Sequence, residues 1–173
     1  MIIGLDLSLN SSGVCVKKKN EDPIYYLVVP NMTKKQKAVQ HKRVNYVVYD
    51  KEMKNISHNI RMIGNKIRKI ITTYEKEIKY VVIEDVAMRA RGQSVIDLTL
   101  LNGYIRCILD ELNVSYITVT PTQWKKKILG NGSADKELTI YHWARMDQSV
   151  CVRMMNNNVK CDDVADSYFL ACC

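Results

Sequence analysis

The sequence predicts an α/β fold, a mixed five-stranded β-sheet flanked by helices, and two observations carry the prediction. Short runs rich in Ile, Val and Tyr are bounded by turn residues, as strands are, and between them lie segments whose apolar residues recur every three or four positions. Met1 to Leu7 reads as a buried strand; Asn10, Ser11, Ser12 and Gly13 make a turn, and Val14 to Val16 resume extended structure as the start of a hairpin. Ile24 to Val29 and Val44 to Tyr49 are further β-rich runs, separated by a Lys-rich segment entered through Pro30 and Asn31. From Met53, residues Ile56, Ile60, Ile63, Ile67, Ile70 and Ile71 line one face of an amphipathic helix whose other face is basic. Tyr80 to Ile83 lacks alternation, as a strand covered on both faces does, and Glu84 closes it.

Ser94 to Leu112 is a second long helix. Its belt of Val95, Leu98, Leu101, Ile105, Ile108 and Leu112, widened by Leu100, Tyr104 and Cys107, fits an ordinary deeply buried helix and is also broad enough to meet both the sheet and a second subunit. Tyr116 to Val119 is a strand, and Thr120-Pro121 starts a short helix through Trp124. Ser133 is the candidate N-cap of a helix to Arg145, with Lys136 in its first turn, and Asp163 to Cys172 is the last helix. The order β-β-β-α-β-α-β-α-α describes a meander followed by alternating helices and strands. Right-handed crossovers then set the strand ending at Glu84 beside the first strand.

The 173 residues suit one domain, residues 1–173, with a core of its own. A net charge of +8, from 26 Lys and Arg against 18 acidic residues, predicts attraction to polyanions. The basic residues cluster at Lys17 to Lys19, Lys34 to Lys42, Arg61 to Lys69 and Lys125 to Lys127. Six cysteines without a C-x-x-C pair give no zinc knuckle to read and are expected as reduced thiols. Apolar runs are too short for a membrane span, and the expectation is a chain without a signal peptide. The expected location is intracellular: bacterial or host-cell cytoplasm, or a nucleus. Cys172 and Cys173 end the chain inside what reads as a helix, which leaves room for a further tail.

Three blocks carry the chemistry: GLDLSLNSSG at 4–13, VVIEDV at 81–86 and DDVADSYFLA at 162–171. Asp6 and Glu84 each interrupt an apolar strand, while Asp163 and Asp166, three apart, share a helix face. Singly, each acid is an ordinary turn, strand-end or capping residue. Together they offer hard oxygen donors of the kind Mg²⁺ takes, and phosphodiester hydrolysis needs charge of that kind at both the attacking and the leaving oxygen. Asp166 sits in a largely apolar helix, where a charge needs a partner. Trp124 and Trp143 read as core or interface residues and His142 as structural.

These blocks resemble those of the RuvC-family Holliday junction resolvases of bacteria, phages and poxviruses. The first resembles the family's strand with Asp, turn and Gly; the second, its strand-ending Ile-Glu; and KCDDVADSYFLA at 160–171, the last helix of the viral resolvases. GNGSADKE at 130–137 resembles the bacterial Gly-Ser-Ala-acid-Lys segment, whereas residues 17–55 carry no such signal. The resemblance implies an RNase H-like fold, two Mg²⁺ per active site with Mn²⁺ as a substitute, and Asp6, Glu84, Asp163 and Asp166 as metal ligands. Lys136 is implied as an electrostatic stabiliser or phosphate contact. Asp162 rivals Asp163, but the family's spacing prefers Asp163 and leaves Asp162 as an N-cap. Lys125 matches a second functional lysine, with Lys126 and Lys127 as rivals; Arg89 and Arg91 complete the expected nucleic-acid contacts. Ala87 stands where bacterial members carry an aromatic residue.

The implied partners are branched DNA, above all a four-way junction, and a second copy of the chain making paired nicks; no membrane is involved. A nuclease acting on RNA–DNA hybrids or other non-junction nucleic acid would use the same acids. The turn D-x-S-x-x-x-S-G is also similar to the phosphate loop of actin-like ATPases, but those need a second lobe for which 173 residues leave no room. A junction binder without catalysis would have no use for all four acids. Scarce Phe and abundant Lys, Asn, Ile and Tyr suggest an A·T-rich genome, and the last helix a virus or phage.

Overall fold

Alternation along the central strands decides how the molecule closes. The computed structural model describes residues 1–38, 41–86 and 92–173. β1 (Ile2–Asp6) pairs antiparallel with β2 (Ser12–Lys17), Asp6 opposite Gly13, and β2 pairs antiparallel with β3 (Ile24–Val29). β4 (Val44–Val48) extends one edge; β5 (Tyr80–Glu84) lies parallel to β1 with Ile83 beside Leu5, and β6 (Tyr116–Val119) forms the other edge. The order β4-β3-β2-β1-β5-β6 makes six strands rather than the expected five. The region before the long helix supplies four strands, and its meander stops at β3, because β4 returns parallel to β3 through the short helix α1 (Lys34–Ala38).

Successive strand residues face opposite sides. Ile3, Leu5, Val14, Val16, Val81 and Ile83 form one core with α2 (Ile56–Tyr74) and α3 (Gln93–Glu111). On α2 the isoleucine spacing does what it predicts: Ile63, Ile67 and Ile71 are fully buried, each worth about 2 kcal/mol. The helix starts at Ile56 rather than Met53, because the Asn55 side chain accepts the His58 amide and caps it.

Cys15, Tyr25, Leu27 and Val82 face the other way, into a second core with α4 (Pro121–Leu129), α5 (Lys136–Met146), α6 (Gln148–Asn156) and α7 (Asp162–Leu170). α4 runs past Trp124 to Leu129, and α6 has no counterpart in the expected order. α5 is capped by Asp135, whose carboxylate accepts the Leu138 amide at 2.8 Å; Ser133 lies in the preceding turn, where it bonds Asn131. A buried network ties the α5–α6 junction to β3. Arg43 grips Asp147 through two bonds of 2.6 and 2.7 Å, the Tyr25 hydroxyl donates to Asp147 at 2.8 Å, and the Trp143 indole donates to Tyr25 at 3.2 Å. Burial alone would raise Asp147, but Arg43 and Tyr25 outweigh it and hold the carboxyl below its usual range.

Two glycines set the height of α7 above the sheet. A Cβ on Gly13 would collide with the Asp163 carbonyl, and one on Gly4 with the Ser167 carbonyl and the Ala171 amide. With hydrogens there, the α7 backbone rests directly on β1 and β2. Gly4 and Asp6, two apart on β1, share the α7 face, as do Val82 and Glu84 on β5.

Candidate active site

Three elements therefore bring acids to one place: Asp6 from the end of β1, Glu84 from the end of the parallel neighbour β5, and Asp163 and Asp166 from the first turns of α7 above them. All four are partly buried. Burial raises the proton affinity of Asp6 well above the carboxylate norm, and the charges of Glu84, Asp166, Asp163 and Asp162 raise it further. Asp166 is pushed up to about 7, by burial first and then by Glu84, against the opposing charge of Lys125. Burial also raises Asp163, opposed by the Ser11 side chain. The groups thus lie within one another's fields. Yet among the described residues no group of three or more His, Cys, Asp or Glu side chains is arranged to hold a metal ion, so the four acids share one region without forming the expected closed cluster.

Glu84 is held from two sides. The Trp124 indole donates to its Oε1 at 2.7 Å, and the Asn102 amide donates to its backbone carbonyl at 3.0 Å. Burial raises Glu84, while Trp124 and Lys125 pull it back. Trp124 is almost fully buried and stacks on Phe169 of α7, so it is a core residue, as expected, and also orients a candidate ligand. A buried indole N–H needs an acceptor, which is the one sequence signal for this role.

The lysines separate. Lys125 donates to the Ala134 carbonyl at 2.7 Å, lies 5.5 Å from the centre of the Trp124 ring and acts on both Glu84 and Asp166; Lys127 instead reaches the Cys173 carbonyl, at 2.8 Å. The Lys126 side chain starts beside Gly132. Lys136 occupies the first position of α5, and its ammonium meets Asp162 at 2.6 Å. Asp162 is therefore the first helical residue and an ion-pair partner, not the N-cap, which is Cys161. Burial raises Asp162, but the bond and charge of Lys136 outweigh it and leave the carboxyl below its usual range. Arg89, Arg91 and Ala87 lie outside the described residues. Trp143 is core, and all six cysteines are free. No helix among the described residues is long and apolar enough to cross a membrane.

A mixed sheet whose central parallel strands end in acids, covered by an acidic helix, is the architecture of the RNase H-like nucleases. The chain belongs to the family described as crossover junction endodeoxyribonuclease RuvC, whose family model matches residues 24–173. That match takes in residues 24–55, where the sequence alone shows no family signal, and leaves β1 outside. The crossover junction endodeoxyribonuclease RuvC of Ehrlichia ruminantium (strain Gardel) is 24% identical over 176 residues, covering 99% of this chain and 94% of that protein. Among solved structures, Thermus thermophilus RuvC superposes with a TM-score of 0.62 at 14% identity, over 98% of this chain and 90% of that one. The T. thermophilus RuvC complex with a Holliday junction substrate gives 0.59 at 14% identity, over 98% and 89%. The yeast mitochondrial Holliday junction resolvase Ydc2 gives 0.52 at 14%, over 98% and 76%.

Proposed function

We propose that this chain is a single-domain, metal-dependent endonuclease that resolves Holliday junctions and other branched DNA by paired nicks, working as a homodimer. The observation that carries the reading is the placement of Asp6, Glu84, Asp163 and Asp166, from three separate elements, on one face at the end of the sheet. Their donors are all hard oxygens with raised proton affinity, which fits Mg²⁺, with Mn²⁺ as a substitute. When bound there, two such ions supply Lewis acidity at the scissile phosphate.

The protein's own groups do the rest. Trp124 fixes the rotamer of Glu84, so that one donor is set before substrate arrives. Lys125, close to Glu84 and Asp166, and Lys136, at the rim on Asp162, place positive charge where a phosphate must enter between carboxylates. The half-exposed face of α3 supports a second copy, and two copies supply the two cuts a four-way junction needs.

Cleavage of a labelled four-way junction, beside linear duplex, flap and RNA–DNA hybrid, with Mg²⁺ and with EDTA, tests this. Symmetric nicks in the junction that EDTA abolishes are expected; preferential cutting of the hybrid would keep the site and move the function to RNA removal. Asp6→Asn is expected to lower cleavage by at least about 1000-fold, as loss of a central electrostatic group does, while junction binding in EDTA stays within threefold. Retained Mg²⁺-dependent cutting would remove Asp6 from the ligand set.

A further inference from the structure

Past Asp163 the surface opens into a groove of about 440 Å³ that the carboxylate site itself does not use. Its floor is Leu27 of β3 and Val159. One wall is α1 with Thr33, Lys34 and Lys35, and the other is the 158–160 loop with Asn158 and Lys160. Ser11 and Asp163 line it as well, so the groove borders the carboxylate site through Asp163.

The walls are ordered by local chemistry. Thr33 and Gln36 cap α1 reciprocally, the Thr33 amide donating to Gln36 Oε1 at 2.8 Å and the Gln36 amide to Thr33 Oγ1 at 3.1 Å. Asn158 holds a left-handed backbone at φ 50°, which turns the chain sharply between α6 and Lys160. Lys34, Lys35 and Lys160 are exposed, and none makes a salt bridge among the described residues, unlike Lys136, which Asp162 engages. Three unengaged ammonium groups thus rim a channel that Asp163 of the site also lines.

Resting on the reading of this chain as a DNA nuclease, we propose that this groove holds the phosphate backbone of the DNA strand next to the scissile phosphate, with Lys34, Lys35 and Lys160 as the groups that meet it. The complementarity is electrostatic and independent of sequence: lysine ammonium groups meet phosphates as point charges, and the apolar floor offers the chain no base-specific donors. The segment from β3 to β4, the part of the sequence without a recognised motif, then has a task. It presents α1 to the substrate.

The test is binding of the intact protein to a labelled four-way junction by fluorescence anisotropy, in EDTA, across a salt series. Removing one lysine–phosphate interaction reduces the slope of log K against log salt by about 0.9 on duplex DNA. Replacing Lys34, Lys35 and Lys160 together by Ala is expected to reduce the slope by roughly 2 to 3 and to weaken binding at least about tenfold at physiological salt. Replacing Arg61, Lys66 and Lys69, on α2 and the opposite face of the sheet, removes the same charge and is expected to reduce the slope by less than about 1. Equal slopes for the two triple variants, or no change in the first, would overturn the groove. Cutting of the same junction by the wild type with Mg²⁺ tests the nuclease reading separately: cutting with an unchanged slope overturns the groove alone. A reduced slope without wild-type cutting keeps the groove and overturns the nuclease.

Discussion

Asp166 holds its proton into the neutral range because burial and Glu84 both disfavour its charge, pushing it up to about 7. An unfolded aspartate ionises near 4, so the folded state binds this proton more tightly. The stability that follows is fully present below the unfolded value and is lost as pH rises through about 7. Asp166→Asn removes the titration. Metal-free, the variant is expected to melt several degrees above the wild type at pH 8, a gain on the order of 2 kcal/mol after solvent relaxation, and at nearly the same temperature at pH 4. Added Mg²⁺ raises the wild-type melting temperature and closes the gap. Equal melting of both proteins in EDTA at pH 8 would mean that Asp166 is not strained by its neighbours. At this scale the four acids are legible in the sequence because each breaks an apolar pattern of known period. The bond from Trp124 to Glu84 and the pair of Lys136 with Asp162 are not, since they join residues 40 and 26 apart that only the packing of α4, α5 and α7 brings together.

The position of α7 depends on what β1 and β2 lack. Gly13→Ala puts a methyl group against the Asp163 carbonyl, and because the obstacle is backbone, the whole first turn of α7 must lift. Overpacking of this kind costs about 1–3 kcal/mol, and the displaced turn carries Asp163 and leads into Asp166. Cleavage is expected to fall by at least about 100-fold, since a displacement of about 1 Å is enough for that, with a melting temperature several degrees lower in a thermal scan. A variant that melts and cuts like the wild type would show that the helix stands clear of the strand. Strong periodicity makes β1, β5, α2 and α3 readable, and β5 falls beside β1 as a right-handed crossover requires. The misread elements are short or polar. Helix α6 is nine residues between Asp147 and Asn157, so its buried Val150, Cys151 and Met154 span little more than one helical turn, and the Val44 run gives no sign that it pairs parallel with β3 rather than continuing the meander. Ser133 and Asp135 are both good caps, and only the observed bond to Leu138 selects Asp135.

The two faces of the sheet are covered unequally. The α2/α3 layer buries Leu101, Ile105, Ile108 and Leu109 of α3, but the other side of that helix leaves Ile96 55% and Leu100 54% exposed. Gly103 and Cys107 continue the same stripe at helical spacing, and the position of a Cβ on Gly103 is open space. A second copy laid along this stripe would bury it and bring two sites to one junction. Leu100→Glu places a charge in the middle of that interface, where burial without a partner costs several kcal/mol. The wild type is expected to sediment as two 19.9 kDa chains and the variant as one. Their products should differ on a supercoiled plasmid that extrudes a cruciform. A dimer cuts both strands within one encounter and yields linear DNA. A single nick by a monomer relaxes the supercoil, collapses the cruciform and stops at the nicked circle. A wild type that sediments as one chain on the junction, or a variant that still yields linear DNA, would sink the paired-cut reading and leave α3 as a bare surface.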